Sequence, residues 1–192
     1  ESLDSFALGF DSVFLLQPQE IQVGILKRLR GAPIAMHTEE YGMRYADLAP
    51  YEVLYTNDMT REELDFIKQF ASLWDRISNS GYFVRTLPLL TPEPSPFTAF
   101  SGWTRWFFRR NKVSYGHSLT KLEEEIFLYL TATCGESRTR VAKHLIQDRM
   151  RLSRSIPRWL KALAPIETSY HHAQKKLHNI PKRQARHLGI IG

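Results

Sequence analysis

Thr60-Arg-Glu-Glu63 is the feature that most constrains this chain, because it starts an amphipathic helix whose direction and buried face can both be read. A Thr three residues ahead of a Glu forms a capping box, each side chain serving the other's backbone amide. Leu64, Ile67, Ala71, Trp74 and Ile77 then recur at helical spacing, and Asn79-Ser80-Gly81 ends the run. The pattern predicts a helix over 60–78 that turns its Leu64, Ile67 and Trp74 stripe inward.

Further helices follow the same logic. Ser95 precedes Phe97, Phe100, Trp103 or Thr104, and Phe107, with Trp106 and Phe108 widening the stripe and Arg109-Arg110 closing it. Ser118 precedes Leu119, Leu122, Ile126, Leu130 and Thr133. Helices are also expected over about 137–151 and 155–164. Between 86 and 96, Pro88, Pro92, Pro94 and Pro96 predict a stiff connector rather than a helix. Upstream, Ile21, Ile25 and Leu29 recur every four residues after Pro18 and before Gly31, which predicts a helix over 18–30. Short extended segments are expected at 42–45 and 51–56, with Ala49-Pro50 in the link between them. The fold class read from these signals is α+β and predominantly α-helical, with a small β element near residues 42–56.

Charge is unevenly placed. Residues 138–192 hold 13 of the 26 Lys and Arg residues but only Asp148 and Glu167 of the 20 acids, and five of the 7 histidines. Such a field attracts anions: a nucleic acid, an anionic substrate, or an acidic face of a larger protein. The successive helical segments of 118–163 fit the order of a helix-turn-helix module, in which Arg138, Arg140, Lys143, Arg151 and Arg154 would contact phosphates. An ordinary helical bundle with a basic outer face is the preferred reading of the same residues. The basic tail, about 165–192, is interrupted by Pro181 and expected to be ordered only in part.

The residues offer little for self-contained catalysis. A single thiol, Cys134, cannot hold a structural zinc or an iron–sulfur cluster, and its place in Thr-Ala-Thr-Cys-Gly suits a half-buried position near a helix end. His171, His172 and His178 lack a carboxylate or thiol at ligand spacing, and His37-Thr-Glu-Glu40 reads as a solvated turn. Glu123, Glu124 and Glu125 cannot share one helix face and read as surface charges compensating the helix dipole. The Trp103–Arg110 aromatic stretch reads as core in preference to a base-stacking platform. No catalytic, cofactor-binding or metal-binding residue is assigned. No apolar run is long enough to span a membrane, and the cytoplasm is the expected compartment. The start at Glu1 and the absence of a signal-like segment suit an excised piece of a longer protein.

Several segments resemble one family. Gln17-Pro-Gln-Glu-Ile-Gln-Val-Gly-Ile-Leu-Lys-Arg-Leu-Arg-Gly-Ala-Pro-Ile34 is similar to the passage that closes the barrel in cobalamin-binding radical-SAM proteins, with Ala32 where Thr is usual. Tyr41-Gly-Met-Arg-Tyr45, Ala49-Pro-Tyr-Glu-Val-Leu54 and the Trp74–Gly81 helix end continue the likeness. Shorter pieces follow at Asp148-Arg-Met-Arg-Leu152, Ile156-Pro-Arg-Trp-Leu160 and Pro181-Lys-Arg-Gln-Ala-Arg-His187. The resemblance covers 14–81 and recurs in pieces beyond 97. It implies a parent with a cobalamin-binding domain and a barrel holding a four-iron four-sulfur cluster and S-adenosylmethionine, the cluster on a CxxxCxxC triad that this sequence lacks. Residues 1–57 would then be the tail of the barrel with a β extension, and 58–192 a helical C-terminal domain of unassigned function. The implied role is a non-catalytic accessory or substrate-binding domain whose partner is the barrel upstream in the same polypeptide. Tyr51, Glu52, Asn79 and Ser80, polar positions within the matching segments, are the candidate substrate-facing residues.

Overall fold

A computed structural model describes residues 1–113, 115–164 and 182–188. Among them are eight α-helices and one two-stranded antiparallel sheet, the predominantly helical α+β class expected. The chain divides into two compact units, residues 1–72 and 73–192.

In the first unit, α1 (Leu3–Leu15) is capped by Ser2 and Ser5, each serving the other's backbone. A 3₁₀ turn covers Pro33–His37. Strands β1 (Arg44–Tyr45) and β2 (Val53–Tyr55) pair through Arg44↔Tyr55 and Tyr45↔Val53, with an irregularity between the two. They lie inside the expected 42–56 window. Val53, Met59, Leu64 and Ile67 form the buried core of this unit, with Leu3, Phe6, Val23, Ile25, Met43 and Tyr45 packed against it.

The helix expected over 18–30 does not form. Ile21, Val23 and Ile25 are half-buried while Gln22, Gly24 and Leu26 are exposed, the period-two signature of a strand. Ile21 and Ile25 satisfy a spacing of four and a spacing of two alike, and Gly24 together with β-branched neighbours tips the balance to extended backbone. The segment runs beside β2: Lys27 bridges to Glu52, Arg28 N–H donates to Tyr51 O at 3.0 Å, and Val53 N–H donates to Leu26 O at 2.9 Å.

The capping box at Thr60 is present, with Glu63 N–H on Thr60 Oγ1 at 3.2 Å and Thr60 N–H on the Glu63 carboxylate at 2.7 Å. It starts α2 (Arg61–Ile77), which begins in the first unit and ends in the second. Leu64, Ile67, Trp74 and Ile77 are all buried, so the stripe packs inward as its period requires.

The second unit continues with α3 (Leu87–Leu90), α4 (Pro96–Arg110), α5 (Leu119–Ala132), α6 (Arg138–Arg151), α7 (Arg158–Leu163) and α8 (Lys182–His187). Ser95, Ser118 and Ser137 each accept a backbone N–H at the start of α4, α5 and α6. The aromatic stripe of α4 is core: Phe97, Phe100, Trp103 and Phe107 are buried, and Trp74 meets Phe100 edge-on at 5.0 Å. Helices α5, α6 and α7 pack in succession around Ile126, Leu130, Val141, Ala142, Leu145 and Leu160. Two expectations need correction. The proline-rich connector contains α3, because a proline in the first turn removes an amide that would go unbonded anyway. Glu123 and Glu125 are not surface charges but buried, each 2% exposed. Glu123 takes a forked contact from Arg149, with Nε–Oε1 at 2.7 Å and Nη2–Oε2 at 2.6 Å, and Glu125 pairs with Arg110 and Lys121. Burial raises the Glu123 pKa against the pull of Arg149. Glu125 is also opposed by burial, yet Lys121 and Arg110 prevail and hold its pKa below the usual value.

Removing the carboxylate in Glu123→Ala strands the buried Arg149 cation. Chemical denaturation should show a loss of about 3–5 kcal/mol, against about 0.5 kcal/mol or less for Glu124→Ala on the same helix.

Candidate functional site

The second unit contains a cavity of about 360 Å³ built around the end of α2. Asp75 and Arg76 reach it from the last turn of α2, Ser80 and Tyr82 from the turn that follows, and Leu119 and Leu122 from the start of α5. Arg154 enters from the segment after α6, and Arg183 and Arg186 from α8. Four guanidiniums therefore face one carboxylate.

Local chemistry explains how the arginines are held. A helix ends with carbonyls that no later amide can reach, at the negative end of its dipole. Beyond α2, Asn79 O accepts Arg183 Nε–H at 2.8 Å and His187 Nε2–H at 3.0 Å, and Ser80 O accepts Arg186 Nε–H at 2.7 Å. Gly81 O accepts from Arg151, which also donates to Arg186 O. Arg183 pairs with Asp75. Position 81 favours glycine: its φ is +69°, and a Cβ there would lie 3.0 Å from both Arg186 Cβ and His187 N.

Two arginines are committed less completely to the protein. The Arg154 side chain is exposed, its guanidinium carbon 5.3 Å from the centre of the Tyr82 ring, over which Arg186 lies at 4.7 Å. Arg76 donates Nη2–H to His117 O at 2.7 Å, while its Nη1 is shielded from water and meets no hydrogen-bond acceptor among the described residues. Burial lowers the Arg76 pKa, the mark of a cation short of counter-charge.

The expected site residues divide. Tyr51 and Glu52 belong to the first unit: Tyr51 is exposed in the turn before β2, and Glu52 forms ion pairs with Lys68 at 3.3 Å and Lys27 at 3.9 Å. Asn79 and Ser80 belong to the second, where Asn79 is buried and its carbonyl receives Arg183. Of the expected phosphate contacts, Arg154 lines the cavity, but Arg151 is buried and bonded to backbone. Arg140 is paired with Glu136 at 2.9 Å, Arg138 lies over the Phe127 ring at 5.2 Å, and Lys143 is exposed on α6. Arg76, Tyr82, Arg183 and Arg186 were not singled out from sequence. The Asn79–Gly81 helix end and the basic stretch 181–187 are each legible there, but nothing in the sequence joins them.

A family described as "Protein of unknown function (DUF4080)" matches residues 39–188. The chain belongs to that family. No curated protein and no solved structure matches it significantly. The match spans every residue lining the cavity, so the cleft lies wholly within the DUF4080 region.

The remaining features of this DUF4080 domain carry less chemistry. A second cavity, about 270 Å³ in the first unit, is lined largely by apolar side chains such as Phe6, Met43, Val53 and Ile67. Cys134 is exposed rather than half-buried, and local desolvation raises its pKa, which keeps it a thiol. Among the described residues no cluster of three His, Cys, Asp or Glu could hold a metal ion. His171, His172 and His178 lie outside the described residues. No described helix is long and apolar enough to cross a membrane.

Elsewhere in the second unit, the buried Asp148 carboxylate receives Arg85 N–H at 2.7 Å, Thr86 N–H at 3.0 Å and Thr86 Oγ1–H at 2.7 Å. Burial nevertheless pushes its pKa up to about 6 against these bonds and the charge of Arg151. The folded state thus keeps a proton that the unfolded chain releases near pH 3.8. Stability should therefore fall as pH rises from about 4 to about 6, by about 3 kcal/mol at most. Thermal unfolding across that range should show this slope in the wild type and a smaller one in Asp148→Asn, the remainder coming from Glu123.

Proposed function

We propose that this chain is a non-catalytic accessory and substrate-binding domain of a radical-SAM iron–sulfur enzyme, joined through residues 1–57 to a barrel upstream in the same polypeptide. The observation that carries this reading is the surface of the first unit. Helix α1 buries only Phe10, while Leu8, Val13, Leu15 and Leu16 stand between 42% and 79% exposed. Leu26, Leu29, Met36 and Leu48 of the same unit are exposed as well. Apolar side chains around so much of a helix belong against a partner surface. The segment that follows α1, residues 17–34, is the one that resembles the exit from a radical-SAM barrel. A barrel packed on α1 accounts for both features at once.

The cofactors of such a parent do not fit this chain. A four-iron four-sulfur cluster needs three cysteines in its triad, and the sequence has Cys134 alone. The cluster, S-adenosylmethionine and cobalamin would all be held upstream, and no reaction step is assigned to residues here.

The nucleic-acid reading of 118–163 draws less support. Two of its five cations, Arg140 and Arg151, are already engaged by Glu136 and by backbone carbonyls. Arg140→Gln should accordingly leave duplex affinity unchanged in an anisotropy titration.

The accessory reading is tested in the longer polypeptide. With iron and sulfide restored it should cleave S-adenosylmethionine reductively, while residues 1–192 under the same treatment should not. Leu15→Asp with Leu16→Asp should leave the isolated chain within about 0.5 kcal/mol of wild type. In the longer polypeptide the same pair should open the α1 region to protease. Cleavage by the isolated chain, or an upstream region without a CxxxCxxC motif, would overturn the reading.

A further inference from the structure

We infer that the arginine-lined cleft at the end of α2 is a binding site for the phosphate group of a small molecule, with Arg154 and Arg76 as its principal anchors. The inference deepens the substrate-binding part of the reading above. Its test runs on this chain alone, so it survives if the attachment to a barrel fails.

The arginines fall into two sets. Arg183 and Arg186 place their Nε–H groups on the Asn79 and Ser80 carbonyls and build the wall. Arg154 and Arg76 line the cavity without donating to those carbonyls, and Arg154 keeps a longer-range attraction to Glu123. Arg154 stands exposed beside the Tyr82 ring, and Arg76 lines the same cavity from the last turn of α2. The guanidinium fork matches phosphate oxygens two at a time.

Charge and shape narrow the ligand further. Four guanidiniums against Asp75 leave an excess that one carboxylate would not neutralise, whereas a phosphate dianion or a diphosphate comes closer. A cavity of about 360 Å³ suits a small molecule, being at the lower end of the about 300–1,000 Å³ typical of ligand pockets. Leu119 and Leu122 give it an apolar side for the remainder of that molecule. A nucleic-acid strand would call instead for an open track of exposed cations, and the basic residues of α6 are partly taken up by Glu136 and Phe127.

The experiment is a titration of residues 1–192 with pyrophosphate, followed by calorimetry and thermal unfolding at constant ionic strength, with sodium chloride and citrate as comparison arms. Pyrophosphate should bind with one-site stoichiometry and raise the melting temperature, and citrate should bind at least tenfold more weakly. Arg154→Gln, an exposed position whose loss should not impair folding, should weaken pyrophosphate binding at least tenfold. Arg76→Met should do the same, and Arg140→Gln should change nothing. Pyrophosphate no better than chloride, citrate equal to pyrophosphate, or binding indifferent to Arg154→Gln would each overturn the inference. So would a single-stranded oligonucleotide that binds more tightly than pyrophosphate and is weakened by Arg140→Gln.

Discussion

The carbonyls left over at the end of α2 organise the second unit. Asn79, Ser80 and Gly81 present three successive acceptors where the helix has run out of amides, and arginines from two separate stretches of sequence supply the donors. Arg183, Arg186 and His187 come from α8, more than 100 residues away in sequence, and Arg151 comes from the last turn of α6. This one arrangement caps α2, seats α8 and draws the guanidiniums toward Tyr82, so the cleft follows from it.

The same interactions change the meaning of the charge imbalance. The excess of cations after residue 137 suggests a broad positive surface, but much of it is taken up within the fold. Arg149 is 7% exposed and spent on Glu123, Thr120 and Ser155 O, and Arg151 is 9% exposed between backbone carbonyls. Glu123, Glu125 and Asp148 are the counterparts, acids removed from the surface to meet partners or amides inside. Among the described residues Arg76, Arg154, Arg183 and Arg186 gather at one cavity, and local charge in a concavity suits a compact anion better than a long polymer.

How much the sequence disclosed depended on range. The Thr60 capping box, the Ser95 and Ser118 caps and the stripes behind them involve neighbours within a turn or two, and each is where the pattern put it. The extended run at 21–29 reads as a helix from sequence because Ile21 and Ile25 fit two periods, and only the pairing with Tyr51 and Val53 decides between them. The acids at 123 and 125 looked superficial because their partners, Arg149 and Arg110, lie in other helices. The cleft was hidden for the same reason: Asn79–Gly81 and Arg183–His187 are unremarkable stretches until folding brings them together. Membership in the DUF4080 family identifies the domain and leaves its ligand to be inferred from that geometry.

Hydrogen exchange of the 182–188 backbone tests the central arrangement most directly, compared between wild type and Gly81→Ala. A methyl at Gly81 would press on Arg186 and on the His187 amide and would force a positive φ on alanine, so it strikes the seat of α8. The account predicts protected amides at 186–188 in the wild type and their loss in the variant, with α4 and α5 still protected. Fast exchange at those positions in the wild type, or protection unchanged by the added methyl, would contradict it.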